Sequence, residues 1–115
     1  MKFHSRIASV LGLIMGLLAS PLGWAQTEVY PNRPLKLVVP YPPGGFTDIL
    51  GRLLADRLGH RLGQQVVVEN KGGGGSTIGS AMVAKAPADG YTLLIVAPDL
   101  AINQSLIAKL SYTVE

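Results

Sequence analysis

LKLVVPYPPGGFTDILGRLLADRLGHRLGQQVVVENKGGGGSTIGSAMVAKAPADGYTLLIV, residues 35–96, decides the fold. Three short apolar runs punctuate it: Leu35-Lys36-Leu37-Val38-Val39, Gln65-Val66-Val67-Val68-Glu69 and Thr92-Leu93-Leu94-Ile95-Val96. Each is aliphatic or β-branched and nearly continuous in hydrophobicity, which is how strands of a parallel sheet covered on both faces read.

Between the runs lie helical patterns. Thr47 suits an N-cap, and Asp48 falls in the first turn, where its charge complements the helix dipole. Leu50, Leu54, Leu58 and Leu62 recur every four residues, joined by Leu53, which predicts a buried stripe ended by Gly63. Arg57 and Arg61 fall beside this stripe, with their stems expected along its flank and their charges in water. A second helix is expected to start near Ser76, pack through Ile78, Met82 and Val83, and stop before Pro87. Ala88-Asp89-Gly90 reads as the turn into the third strand. A weaker helical stretch follows from about Leu100 to Leu110. The order β-α-β-α-β means an α/β fold with a parallel sheet and right-handed crossovers. Three strands leave two bare edges, and a parallel sheet of that size is rarely complete by itself.

Upstream of this core, Lys2 and Arg6 precede the apolar run Ile7 to Leu18, and Ser20-Pro21 breaks it. Gly23 and Ala25 offer small residues before a cleavage point. This is the order of a secretory signal, expected over residues 1–25 with cleavage near Ala25 and a periplasmic destination. The run of 12 residues is short of the roughly 20 that a spanning helix needs. The chain has no cysteine, which excludes a disulfide framework, a thiolate metal site and a cysteine nucleophile. Residues 26–115 carry eight Lys/Arg against seven Asp/Glu, a net charge of +1. The positive charges are scattered without a stripe or interleaved aromatics, so nucleic-acid binding is unsupported.

In open α/β sheets, ligands bind beyond the carboxyl ends of the strands. Here the loops at those ends are the most unusual segments: Pro40 to Asp48, then Asn70 to Thr77 with four consecutive glycines, then Ala97-Pro98-Asp99. Prolines stiffen the first loop, and paired glycines let a ligand approach bare backbone. Free amide N–H groups at a helix start attract an anion without a charged side chain, so two such loops side by side make an anion cradle. The run GGGGSTIG at 72–79 holds no G-x-G-x-x-G in register, although Asp99 stands about 20 residues on, where a ribose-binding acid would sit. A P-loop is excluded because Lys71 precedes the glycines. His60 has Asp56 four residues before it, the spacing of a solvated i,i+4 pair. Ser76 and Thr77 lack a nearby base and read as caps or neutral donors. No His/Asp/Glu cluster has metal-ligand spacing. The pattern points to holding a ligand, not transforming it, with no catalytic residue, metal or cofactor.

The motifs carry a family resemblance. Tyr30-Pro31-x-Arg33-Pro34, Pro40-x-Pro42-Pro43-Gly44-Gly45-x-x-Asp48 and Leu62-Gly63-Gln64-x-Val66-Val67-Val68-Glu69-Asn70 come first. A Gly-rich turn ending in Ile78-Gly79 and then Ala86-Pro87-x-Asp89-Gly90-Tyr91-Thr92-Leu93 complete the set. Together they resemble the Bug family, the periplasmic substrate-binding proteins of tripartite tricarboxylate transporters. The resemblance implies two α/β lobes closing on an organic acid, in the manner of periplasmic binding proteins. It implies that Pro42, Pro43, Gly44, Gly45, Phe46, Thr47 and Asp48 hold a ligand carboxylate with Gly74, Gly75, Ser76 and Thr77, largely through backbone N–H groups and ordered waters. Ala97, Pro98 and Asp99 are implied to face the same cleft. The loaded protein, expected as a monomer, would deliver its cargo to membrane permease subunits. Phe46 departs from the small polar residue usual there, and Lys71-Gly72-Gly73 replaces a more usual basic-Pro-Gly.

Two lobes on the domain-size argument need roughly 300 residues. The expectation is therefore that residues 26–115 form the N-terminal part of lobe 1 without the second lobe: a gene fragment, a partial sequence or a natural remnant. A nucleotide-binding α/β module and a non-functional gene remnant stand as alternatives. An enzyme of related fold would need a catalytic dyad that these residues do not supply, and a signal-anchored interaction protein would keep residues 1–25.

Overall fold

The computed structural model describes residues 28–113, so the expected signal segment lies outside the described residues. Six elements follow one another: β1 (Leu35–Val39), α1 (Phe46–Leu62), β2 (Val66–Asn70), α2 (Thr77–Ala84), β3 (Thr92–Leu94) and α3 (Asp99–Leu106). The expected alternation is present. β2 starts one residue later than its apolar run, the β3 ladder ends at Leu94, and α3 ends at Leu106 instead of reaching Leu110.

All strands are parallel, in the order β2-β1-β3. β1 pairs Leu35 with Val66 through Val39 with Asn70 on one side, and Lys36 to Val38 with Thr92 to Leu94 on the other. As the central strand it is covered from both sides and both faces. Leu35, Leu37, Val38 and Val39 are buried accordingly, and the nearly continuous hydrophobicity of the run, interrupted only by the exposed Lys36, follows from that position.

Because β2 and β3 lie on opposite sides of β1, right-handed crossovers place α1 and α2 on opposite faces of the sheet. The contacts agree. A Cβ at Gly51 of α1 would lie 3.0 Å from Val39 Cγ2 and 3.5 Å from Ile95 Cγ2, whereas one at Gly79 of α2 would lie 2.7 Å from Pro40 Cβ. Odd-numbered β1 residues therefore meet α1, and Pro40, continuing the even-numbered register, meets α2.

The face that α1 buries is not the expected leucine stripe. Asp48, Gly51 and Ala55 are buried, while Leu50, Leu53 and Leu54 are 41, 55 and 41 % exposed. The 48/51/55 spacing is a helical face of small residues, and small side chains let the helix axis settle close on β1. The leucines at 50, 53 and 54 turn away from the three strands, and only Leu58 and Leu62 stay half-buried. In α2, Gly79 and Ser80 are buried and Met82 and Val83 are half-buried, whereas Ile78, expected to pack, is 58 % exposed.

The amino ends of β1 and β3 are clasped together. Tyr30 Oη donates to Gly90 O at 2.7 Å, and Tyr91 Oη donates to Asn32 Oδ1 at 2.8 Å. Arg33 pairs with Asp89 at 2.8 Å and lies 4.0 Å over the Tyr91 ring. This clasp gives the Tyr30-to-Pro34 and Asp89-Gly90-Tyr91 motifs a structural role at the sheet end opposite the loops.

Candidate ligand-binding site

β1 delivers the chain into Pro40-Tyr41-Pro42-Pro43, and Gly44 then turns it at φ +85°. Gly45, extended at φ −78° and ψ 169°, is the residue that caps α1, with no side-chain cap. Thr47, expected as the cap, instead lies inside the first turn. Among the described residues, the first intrahelical amide is that of Ile49, which donates to Gly45 O at 3.0 Å. The amides of Phe46, Thr47 and Asp48 thus stand at an open helix start, where anions are favoured.

The glycine-rich loop lies directly on the first loop. A Cβ at Gly72 would come within 3.3 Å of Pro42 N and 3.4 Å of Tyr41 C. Gly73, Gly74, Gly75 and Ser76 all take positive φ, at 125, 58, 59 and 71°. Four successive residues in that region are affordable only with glycine at most of them, because each Cβ there costs about 1–2 kcal/mol. Ser76 alone carries that cost. Its hydroxyl is buried beside the Tyr41 hydroxyl without a hydrogen bond of good geometry. Thr77 Oγ1 donates to Gly74 O at 2.7 Å and ties the loop to the start of α2.

Three sets of hydrogen bonds knit the loops into one unit. Asn70, the last residue of β2, donates from Nδ2 to Tyr41 O at 3.2 Å and to Asp48 Oδ1 at 2.9 Å. Tyr41 Oη donates to Asp99 Oδ1 at 2.5 Å and accepts from the Ala97 amide at 3.0 Å, joining the first loop to the third. Asn103 Nδ2 of α3 donates to Gly75 O at 2.7 Å. Burial, followed by the Asp99 carboxylate, pushes the Tyr41 phenol above its ordinary pKa, so it stays a donor at any physiological pH.

Asp48 is the pivot. Its carboxylate is 3 % exposed and accepts from the Gly44 amide at 2.9 Å, Arg52 Nε at 3.1 Å and Asn70 Nδ2 at 2.9 Å. The Gly44 amide foremost, then Arg52 and Asn70, lower its pKa to about 2. Its two oxygens serve the protein. Glu69 sits between Lys36 at 2.7 Å and Lys71 at 3.0 Å, which hold its carboxyl below the usual range, Lys36 most strongly.

All fourteen residues expected to bind ligand fall at this one edge of the sheet or in the helix starts beside it. Pro42 to Phe46 and the glycines at 74 and 75 are exposed, Thr47 and Thr77 half-buried, Asp48 and Ser76 buried, Ala97 and Asp99 half-buried and Pro98 exposed. The sequence reading missed Tyr41, Arg52, Asn70 and Asn103, which build the site from beneath. Arg52, four residues after Asp48, carried a legible helical-pair signal. Tyr41 and Asn70 lay inside the loop segments singled out above without being assigned to the site, and Asn103 carried no signal beyond position.

Elsewhere, His60 and Asp56 form the expected exposed pair at 3.6 Å. A concavity of about 680 Å³ follows the β2 edge, lined by Arg52, Asp56, His60, Gln65 and Val67 among others, apart from the glycine-rich loop. Among the described residues no group of three His, Cys, Asp or Glu could hold a metal ion, and no helix is long and apolar enough to cross a membrane.

The chain is similar to known proteins in sequence and fold. The family model described as "Tripartite tricarboxylate transporter family receptor" matches residues 50–115. Protein BugT of Bordetella pertussis is 41 % identical over 114 residues, covering 96 % of this chain and 34 % of that protein. MatC from Rhodopseudomonas palustris, solved with bound malate, superposes with a TM-score of 0.69 at 36 % identity, over 72 % of this chain and 29 % of that one. An R. palustris protein solved with adipate gives 0.60 at 46 % identity, over 62 % and 24 %. The chain spans about a third of the length of the curated relatives it matches.

Proposed function

The chain belongs to the tripartite tricarboxylate transporter receptor family, and from that premise we propose that its three-loop shelf grips the carboxylate of a small organic acid for uptake. The family is one of solute-binding receptors. Within it, residues 26–115 act as the first part of lobe 1, and the ligand is enclosed when a second lobe closes on it. Residues 1–25 act as a signal that is cleaved near Ala25, which delivers the protein to the periplasm. Release of the ligand to membrane permease subunits completes the cycle.

The observation that carries this reading is the open start of α1, with amides 46–48 facing no internal acceptor, locked against the glycine-rich loop by Asn70. Such a site binds an anion through fixed backbone dipoles. Asp48 contributes by holding Gly44 and Arg52 in place, because its own oxygens already accept three hydrogen bonds. Ser76 and Thr77 shape the second loop. The malate and adipate in the two related structures have the charge this shelf favours.

The test is calorimetric titration of the product of the native reading frame with malate, citrate, glutamate and benzoate. One-site binding of at least one of them is expected, with Kd near micromolar, or about −8 kcal/mol. No binding across the panel contradicts the proposal. The three-loop shelf by itself should bind far more weakly, because a half-cleft leaves most of the ligand in water.

A further inference from the structure

We infer that the carboxylate held by this shelf belongs to a ligand with an apolar, ring-sized body, and that Phe46 selects it; this rests on the carboxylate-binding reading above. Phe46 is the first residue of α1 and is 77 % exposed. Side chains of an α-helix lean toward its N-terminus, so the ring of a first-turn residue projects past the helix start. The same residue supplies one of the open amides. A carboxylate on amides 46–48 therefore brings the atoms attached to it beside the Phe46 ring. On the other helix start, Ile78 is 58 % exposed and lies against Gly73, where its Cδ1 fills the place of a Cβ. Each of the two helices thus contributes an apolar side chain next to its opening.

The charges near the shelf point the same way. Arg52 is committed to Asp48 and Asn70, and Lys71 to Glu69. Lys36 is likewise paired with Glu69, and Arg33 with Asp89 at the far end of the sheet. Arg57 and Arg61 lie in the last turns of α1, Lys85 caps the end of α2, and Lys109 follows α3. Among the described residues, each cation near the loops already has a carboxylate partner, Lys36 and Lys71 sharing Glu69. This half of the cleft thus offers one anion position and an aromatic surface, a pairing suited to an aromatic monocarboxylate.

The experiment uses the product of the native reading frame, with benzoate, phenylacetate and malate as probes, titrated by calorimetry into the wild type and Phe46→Ser. Benzoate or phenylacetate should bind more tightly than malate. Phe46→Ser should weaken the aromatic ligand about tenfold, the size of one aromatic contact plus partial burial. The loss for malate should be smaller, because the Phe46 backbone amide remains, and the melting temperature should be unchanged, as for other exposed positions. Tighter binding of malate by the wild type, or equal losses for both ligand types, would overturn the inference while leaving the carboxylate-binding reading intact. Failure of all three acids, and of citrate and glutamate as well, would remove both.

Discussion

Replacing Gly79 by alanine tests whether α2 and its glycine loop are held as tightly as the contacts indicate. The added methyl would sit 2.7 Å from Lys71 O, 2.7 Å from Pro40 Cβ and 3.0 Å from Pro40 Cα. Two of these are backbone atoms and the third belongs to a fixed ring, so none can rotate away. Carbon atoms pack best at about 3.5–4.0 Å, so α2 must retreat by roughly 1 Å. Overpacking of this kind costs about 1–3 kcal/mol, and the gain in helix propensity from Gly to Ala returns about 1 kcal/mol. The net expectation is a loss of about 1 kcal/mol in urea unfolding, with weaker carboxylate binding because Ser76 and Thr77 move with the helix. Ala81→Gly, at a half-buried position of the same helix, isolates propensity and should cost about 1 kcal/mol while leaving the loop where it is. A Gly79→Ala protein as stable as the wild type, with unchanged affinity, would refute the close approach of α2 to Pro40.

Other perturbations address the links between the loops. Asn70→Ala removes the donor to both Tyr41 O and Asp48, and should cost about 1–3 kcal/mol in chemical unfolding together with a measurable loss of ligand affinity. Tyr41→Phe deletes the hydroxyl that joins Asp99 to the Ala97 amide; faster hydrogen exchange at Ala97 and a loss of about 1 kcal/mol are expected. Asp48 titrates near 2 in the folded protein and near 3.9 in an unfolded chain. The folded state therefore takes up its proton later, so the Asp48 contribution is fully present above about pH 4 and is lost as pH falls toward 2. Asp48→Asn should flatten that acid limb of the stability profile and lower stability at neutral pH.

Much of this architecture was legible in the chain itself. β1 and β2 announced themselves as nearly continuous aliphatic runs, although only the central β1 is mostly buried and the edge strand β2 is half-exposed, and the Pro- and Gly-rich segments located the carboxyl edge. The face of α1 was not legible. Leucine periodicity counts hydrophobicity, whereas the fold selects Gly51 and Ala55, whose small size allows the helix to approach Val39. That choice depends on the distance between two elements, which a local pattern does not encode. Asp48 was placed correctly in the first turn, yet its three donors come from a loop, a helix and a strand end. Asn70, Tyr41 and Asn103 act across separations of 29, 58 and 28 residues, and although Tyr41 and Asn70 lie in the unusual loop segments, no local pattern reveals these long-range partners. Sequence therefore located the shelf, while the side chains that hold it rigid became visible only in three dimensions.

The central claim, that the open backbone amides at the start of α1, beside the glycine-rich loop, receive a carboxylate, is open to direct observation by amide NMR of the 15N-labelled native-frame product during titration with malate and with benzoate. The account predicts saturable shifts concentrated at Gly44 to Asp48 and Gly74 to Ile78, with the Phe46, Thr47 and Asp48 amide protons moving downfield as they gain an acceptor. Saturable shifts confined to the β2-edge concavity around Gln65 and Val67, with amides 44–48 unmoved, would contradict it.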